Sequence, residues 1–436
     1  MKLYLSILLC LLLLESPAQI QVILDTDPGY DPDDVGCMAM LHSMANQGEC
    51  EILAIINSTD QKESALCISA INGFFNRPAI PVGDYKNYPS KADAPENAYH
   101  FHIASTFPRR LKSWQDALES VSLYREILSS AGDTSITIVI IGTMHNFHGL
   151  LQSESCKFSD LTGIELVREK VRQVVSMGGN FINGKGYDRT NWGGADALCS
   201  YTSWSCLNRE RNDMCRFVIE NCPAPFIASG WEVGSGDYHH ANYGNVMTGQ
   251  GLKKLDPGHV ALQSYEYHFR FRGGDQRISR HSNDQCALLY AIRGEGQNFR
   301  AWLNGDINLS EQGECSWKPS TDLRQGFIQK KSNKDEIAAE IEELMMAAPM
   351  NEDQSPPTPP SDLQISKANE GIKLSWAKSS DPTMGSWVAA YKVYRNGTFL
   401  GSAFGTQFLD PKGSENARYM IRAVNVNGLL SYISLD

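Results

Sequence analysis

The sequence predicts an α/β protein built on a mainly parallel open sheet with helices on both faces, followed by a small all-β sandwich. Three observations predict it. Short β-branched runs alternate with longer amphipathic stretches up to about residue 349, a Pro-rich break follows, and beyond it the apolar pattern changes to period two.

The runs Gln21–Leu24, Glu51–Ile56, Ile136–Ile141, Val174–Met177 and Pro225–Ala228 read as strands. They are continuously apolar rather than alternating, which suits strands covered on both faces. Helical periodicity follows at Cys37–Met44 and Lys62–Phe75, and Asn333–Ala348 reads as a closing helix. Ligands of open parallel sheets bind beyond the carboxyl ends of the strands, so polar residues directly after a strand carry the functional information. Asn351–Ser361 is Pro-rich and favours extended polyproline geometry. Beyond it Ile372–Trp376, Tyr391–Tyr394 and Tyr419–Val424 alternate with period two, separated by the turn signals Asn396-Gly397 and Asn427-Gly428. A Trp in an early strand and a late Tyr-x-x-x-Ala-Val-Asn resemble a fibronectin type III module. The expected division is 1–18 signal peptide, 19–349 α/β domain, 350–360 linker and 361–436 sandwich.

Met1-Lys2 precedes the almost unbroken apolar run Leu3–Leu14, and Ser16-Pro17-Ala18 places small residues at a cleavage site. That is the pattern of a secretory signal peptide, and it predicts export to the periplasm or cell exterior. No later stretch reaches the roughly 18 apolar residues of a membrane span. With 39 Lys+Arg against 50 Asp+Glu, the net charge of −11 argues against a nucleic-acid partner, which needs clustered cations. Of 11 cysteines, Cys10 lies in the signal segment. Cys199, Cys206, Cys215 and Cys222 crowd one segment without a C-x-x-C, so two disulfides bracing a loop are expected there rather than zinc. Cys37, Cys67 and Cys286 sit in apolar helical patterns and read as buried free thiols.

The first strand ends in Asp25-Thr26-Asp27-Pro28-Gly29-Tyr30-Asp31-Pro32-Asp33-Asp34 and enters a helix at Val35. Five carboxylates in ten residues raise one another's pKa unless a cation sits among them. Such hard oxygen donors suit Ca²⁺ or Mg²⁺. The plain alternative, a solvated loop capped by Asp33 or Asp34, explains only one acid.

This motif resembles the N-terminal signature of the inosine–uridine preferring nucleoside hydrolase family, in its exported bacterial branch. Further landmarks follow in the family's order: Ser58-Thr59-Asp60-Gln61, Gly142-Thr143-Met144-His145-Asn146, Met177-Gly178-Gly179-Asn180, Asn221–Pro225 with Ser229–Gly234, and Ser282-Asn283-Asp284-Gln285. The resemblance implies a nucleoside hydrolase-like fold and a Ca²⁺ ion held by Asp27, Asp34, Asp284 and the backbone carbonyl of His145. It implies that Asp27 is also the base that deprotonates the attacking water, which adds to C1′ of a ribosyl group through an oxocarbenium-like transition state. Asp33 then accepts from a ribose hydroxyl, and Gln61, Asn180, Asn208 and Glu232 supply further sugar contacts. The partner is a small nucleoside or other ribosyl compound. Members commonly form dimers or tetramers, which leaves a homo-oligomer open.

This chain departs from the family at several points. Asp31-Pro32 are extra, so either Asp27 or Asp31 approaches the metal. Thr190-Asn191-Trp192 rivals Cys206-Leu207-Asn208 as the sugar motif. Asn283 stands where His is expected beside the late aspartate and cannot act as an acid at neutral pH, leaving His239, His240 and His281 as substitutes. Two other readings remain. A phosphatase also starts with an apolar strand and Asp-x-Asp, but Pro28-Gly29 and the ordered later motifs disfavour it. A sugar or glycoconjugate binder that keeps the metal site without turnover is the non-catalytic alternative.

Overall fold

The computed structural model describes residues 19–29, 31–87, 91–188, 190–193, 209–236, 244–271, 278–321, 324–347, 355–368, 370–382, 388–403, 405–425 and 429–432. In the first part strands feed helices in turn. β1 (Ile20–Thr26) precedes α1 (Asp33–Asn46), β2 (Cys50–Asn57) precedes α2 (Lys62–Phe74), and β3 (Val82–Asp84) precedes α3 (Tyr99–Thr106). β4 (Leu118–Glu119) runs directly into α4 (Ser120–Ser130), and β5 (Ile136–Ile140) is followed by α5 (His145–Leu151) and α6 (Gly163–Lys170). β6 (Val171–Met177) and the short β7 (Lys185–Tyr187) precede α7 (Arg209–Asn221), and β8 (Phe226–Ser229) precedes α8 (Trp231–Ser235). β9 (Met247–Thr248) and β10 (Arg280–His281) pair antiparallel on either side of α9 (Val260–Phe271), and α10 (Asn283–Arg293) follows. β11 (Phe299–Leu309), β12 (Glu314–Pro319), β13 (Gln325–Lys330) and α11 (Lys334–Met345) close this part.

One sheet has the order β4-β3-β2-β1-β5-β6-β8-β13-β11-β12-β7. Every pairing from β4 to β13 is parallel, and only β13-β11-β12-β7 pair antiparallel. Alternation along β1 explains its continuous apolar run. Val22 and Leu24 enter a core shared with α1 and α10, whereas Ile23 enters a second core with Leu123 of α4 and Phe147 of α5. Helix α1 is buried at every residue from Asp33 to Met44. A Cβ on Gly36 would lie 2.5 Å from Gln285 Nε2 and 3.0 Å from Tyr265 Oη, so glycine is what lets α10 and α9 approach this helix.

After the Pro-rich segment lie two three-stranded antiparallel sheets. One has β14 (Gln364–Ala368), β15 (Gly371–Ser375) and β18 (Gln407–Asp410); the other has β16 (Val388–Arg395), β17 (Thr398–Ala403) and β19 (Tyr419–Asn425). Their inward residues, among them Leu374, Trp376, Tyr391, Val393 and Ile421, form one separate core. Asn396 and Gly397, at φ 51° and 81°, make the tight two-residue turn that their pairing in sequence announces.

Among the described residues no helix is long and apolar enough to cross a membrane. The expected disulfide pair is corrected: Cys215 and Cys222 are free, with Cys215 buried in the core beside α7, while Cys199 and Cys206 lie outside the described residues. Cys37, Cys67 and Cys286 are buried free thiols, as expected.

Candidate active site

The acids collect where β1 leaves the sheet. Pro32 is the residue before α1, and no side chain caps the helix, so Asp33 and Asp34 do not serve as N-caps. Instead Asp34 Oδ1 accepts from Thr26 Oγ1 (2.5 Å) and from the Asp27 N–H (3.1 Å), tying the first helical turn back onto the strand exit. One carboxylate oxygen from each of Asp31, Asp33 and Asp34 lies within 4.8 Å of the others. From the far end of the chain, α10 delivers Asp284, and its carbonyl accepts from the thiol of Cys37 at 3.6 Å, which fixes α10 against α1.

Charge and burial show how tightly these groups face one another. Asp34 and Asp284 are 3% and 5% exposed. Burial pushes both carboxyls well above their ordinary range. Asp27 and Asp31 raise Asp34 further, and Asp34, Asp31 and Asp27 raise Asp284. Asp27 is pushed up to about 8, first by burial, with Arg211 opposing and Asp31 adding. A cluster of largely buried carboxylates that destabilise one another's charge fits a hard divalent cation. Arg280 forms an ion pair with Asp31, so one acid of the set already has a partner from within the chain.

A second polar layer supports the strand ends. Asp25 is fully buried and accepts from Tyr124 Oη (3.0 Å) and Asn146 Nδ2 (2.9 Å); burial raises it to about 7. Asn146 also donates to the Asn57 carbonyl (3.2 Å), Asn57 donates to Asp84 Oδ1 (2.7 Å), and the same oxygen accepts from Lys91 (2.7 Å). Three neighbouring strand exits are thereby locked together.

The remaining expected residues divide by position. His145 is the first residue of α5 at the same edge, with Nδ1 2.7 Å from Thr143 Oγ1; burial, then Arg211, lowers it to about 4. Gln61 precedes α2, and its buried Oε1 has no hydrogen-bond partner and lies 3.3 Å from the position of a Cβ on Gly29. Asn180 lies past β6 and accepts from the Ile182 N–H (3.4 Å). Asn208, His239 and His240 lie outside the described residues. The rival Asn191 does reach the strand ends, donating to the Ile141 carbonyl at 2.6 Å. Glu232 is fully buried, and its Oε1 accepts from the Phe181 N–H (3.1 Å), which braces the β6 exit. Asn283 Oδ1 accepts from Ser235 Oγ (3.0 Å), whose oxygen also meets His281 Nδ1 (3.0 Å). Burial lowers His281 to about 4, so it is neutral at physiological pH.

No protein-family model matches the sequence, and no curated protein matches it. Solved structures do. The effector protein XOO4466 superposes with a TM-score of 0.51 at 15% identity, covering 76% of this chain and 94% of its own. A purine-preferring ribonucleoside hydrolase from Gardnerella vaginalis gives 0.50 at 14%, over 75% and 98%, and an inosine–guanosine nucleoside hydrolase gives 0.50 at 14%, over 75% and 99%. The fold is that of the nucleoside hydrolases. At these identities the likeness is one of architecture.

On that nucleoside hydrolase-like frame, the structure adds three residues that sequence reasoning missed. Tyr99 Oη accepts from the Gly29 N–H (2.7 Å), and the next residue, His100, sits against Gly29 with neither ring nitrogen paired. His100 is 1% exposed and lowered to about 4 by burial. Arg211 of α7 is the third, close enough to act electrostatically on both Asp27 and His145. In sequence, Tyr99-His100 has the look of an apolar helix start and Arg211 that of a charged helix face, so spacing gave no signal.

Proposed function

We propose that the chain is an exported, calcium-dependent hydrolase that cleaves the N-glycosidic bond of a ribonucleoside or related ribosyl compound. The observation that carries this reading is the clustering of Asp31, Asp33 and Asp34, whose carboxylate oxygens lie within 4.8 Å of one another, with Asp27 and, from the far end of the domain, Asp284 close enough to interact electrostatically with Asp34. Asp27, Asp34 and Asp284, with the His145 carbonyl, are the proposed ligands, and the geometry adds Asp31. When bound, Ca²⁺ supplies the charge that holds ribose hydroxyls and makes a water more acidic. Asp27, whose carboxyl is a good proton acceptor once a cation offsets its acidic neighbours, takes the proton of the attacking water. Asp33 accepts from a ribose hydroxyl, and Gln61, with its unpaired Oε1, and Asn180 line the sugar side. Residues 1–18 act as the export signal, and the two small sheets form a fibronectin type III-like appendage.

One observation favours a second reading, a ribosyl-ligand binder without turnover. Among the described residues, Asn283 and the neutral His281 offer no imidazolium beside Asp284 to protonate a leaving base. A single experiment separates the two. Purified protein is incubated with a nucleoside and nucleotide-sugar panel, with calcium or with chelator, and released reducing sugar is measured. Hydrolysis requires calcium-dependent release that Asp34→Ala and Asp284→Ala each abolish, falling by about a thousandfold or more while the circular dichroism of the fold persists. Ligand-induced stabilisation without release supports the binder. Full activity in either variant removes the pocket from the mechanism.

A further inference from the structure

Arg280 lies on β10, just ahead of the helix that carries Asp284, and its guanidinium forms an ion pair with Asp31. Asp31 is in turn one of the three acids whose carboxylate oxygens lie within 4.8 Å of one another. The guanidinium therefore puts a fixed positive charge on the acid cluster from within the chain. Its field reaches Asp284 as well: burial and the neighbouring acids raise that carboxyl, and Arg280 opposes them. His281, beside Arg280 in the chain, is lowered first by burial and then by the same guanidinium.

The acids of the cluster differ in how firmly they are held. Asp34 is 3% exposed and accepts from Thr26 Oγ1 and the Asp27 N–H, so its carboxylate is fixed by the strand exit. The Arg280 and Asp31 side chains are 24% and 14% exposed, and an ion pair with this access to water is held by a small net free energy. Asp31 is thus the acid that can change partners. One carboxylate serves a guanidinium and a divalent ion poorly. The guanidinium repels the incoming ion and takes up an oxygen that the flexible, oxygen-rich shell of Ca²⁺ would use. With no ion bound, the same guanidinium offsets part of the repulsion among carboxylates that the fold holds together.

We propose that the Arg280–Asp31 ion pair is a latch on the cation site: closed, it stands in for the ion, and open, it releases Asp31 to serve as a ligand. The latch rests on the reading of the acid cluster as a calcium site. It makes Arg280 the residue that sets the calcium concentration at which that site fills.

The test uses the full chain, freed of metal with chelator, dialysed and titrated with calcium chloride by calorimetry. Arg280→Gln, and Arg280→Met as a second variant that keeps an apolar stem, should each bind calcium about tenfold more tightly than the parent, the effect of one charge-assisted hydrogen bond that binding no longer has to break. In an Asp31→Asn background, Arg280→Gln should change the affinity by less than about threefold, because the carboxylate it would release is gone. Circular dichroism of every variant should match the parent. The latch is overturned if both Arg280 variants bind calcium no more tightly than the parent, or if Arg280→Gln tightens binding equally with and without the Asp31 carboxylate, which would leave only a general effect of charge. Calcium-dependent sugar release with unchanged affinity in the Arg280 variants removes the latch alone. Tighter binding in those variants without sugar release from any protein supports the latch and removes the hydrolase reading, and no calcium binding by any of the proteins overturns the latch and the cation site together.

Discussion

At the scale of single residues, the acid cluster is a set of charges that the fold holds together against their mutual repulsion. A carboxyl whose folded pKa is raised keeps its proton while the unfolded chain has already released it. Stability therefore falls as pH rises from the unfolded value towards the folded one. Asp27 is held near 8, so calcium-free protein should lose stability between pH 6.5 and 8, by up to about 1.4 kcal/mol per pH unit for each such group. Thermal unfolding in chelator should show this fall, Asp27→Asn should reduce it, and saturating calcium should flatten it. A calcium-free protein equally stable at both ends of that range would show that burial does not hold the Asp27 carboxyl protonated. Most of the acids could be read from the sequence because Asp27, Asp31, Asp33 and Asp34 are neighbours along the chain, and Asp284 follows a strand at a recognisable helix start. His100 and Arg211 could not. Their relation to Gly29 and Asp27 comes from packing between residues about 70 and 180 positions apart, and no local spacing encodes it.

At the scale of elements, the strand exits and α1 carry the precision. Gly178 and Gly179, at φ 152° and 80°, let β6 turn sharply into the loop that holds Asn180. A Cβ on Gly178 would lie 2.2 Å from Trp192 Nε1, and that nitrogen now donates to Ser176 Oγ (3.1 Å). Gly178→Ala should therefore cost about 2 kcal/mol or more and depress activity more than a surface change of equal size. Denaturant unfolding alongside ribose release checks it, and wild-type values for both would mean that the exit tolerates a side chain. Helix α1 gives a different signature. His42 is fully buried within it, stacked on Phe75, with Nε2 3.0 Å from Asn72 Oδ1, and burial lowers it to about 3. Below pH 6.5 the unfolded chain binds a proton that the folded one refuses, so stability is lost from pH 6.5 down towards 3. His42→Gln should flatten that acid limb relative to the parent in pH-dependent unfolding. The strand and helix order was legible because buried parallel strands leave unbroken apolar runs. The antiparallel edge β11-β12-β7 was not, because half-exposed strands at a sheet edge lose the continuous pattern on which that reading depends.

At the scale of the whole molecule, the chain has distinct cores. Two line the faces of the large sheet and share β1, whose alternate side chains enter each, so these two should unfold together. The third is made only by residues of the small sandwich. Cooperative unfolding follows contiguous packing, which predicts two thermal transitions. In the sequence the division is expected at Asn351–Ser361, since a Pro-rich run lacks the apolar residues that would join two cores. A ligand that binds only the folded state stabilises the unit that holds it, by about 2.7 kcal/mol at a hundred times its dissociation constant. The proposed calcium ligands all lie on the large-sheet side. Calcium should therefore shift the transition of that unit upward in scanning calorimetry and leave the sandwich transition in place. A calcium shift of both transitions together would mean that the cores unfold as one, and a shift of the sandwich alone would move the cation site away from Asp34 and Asp284.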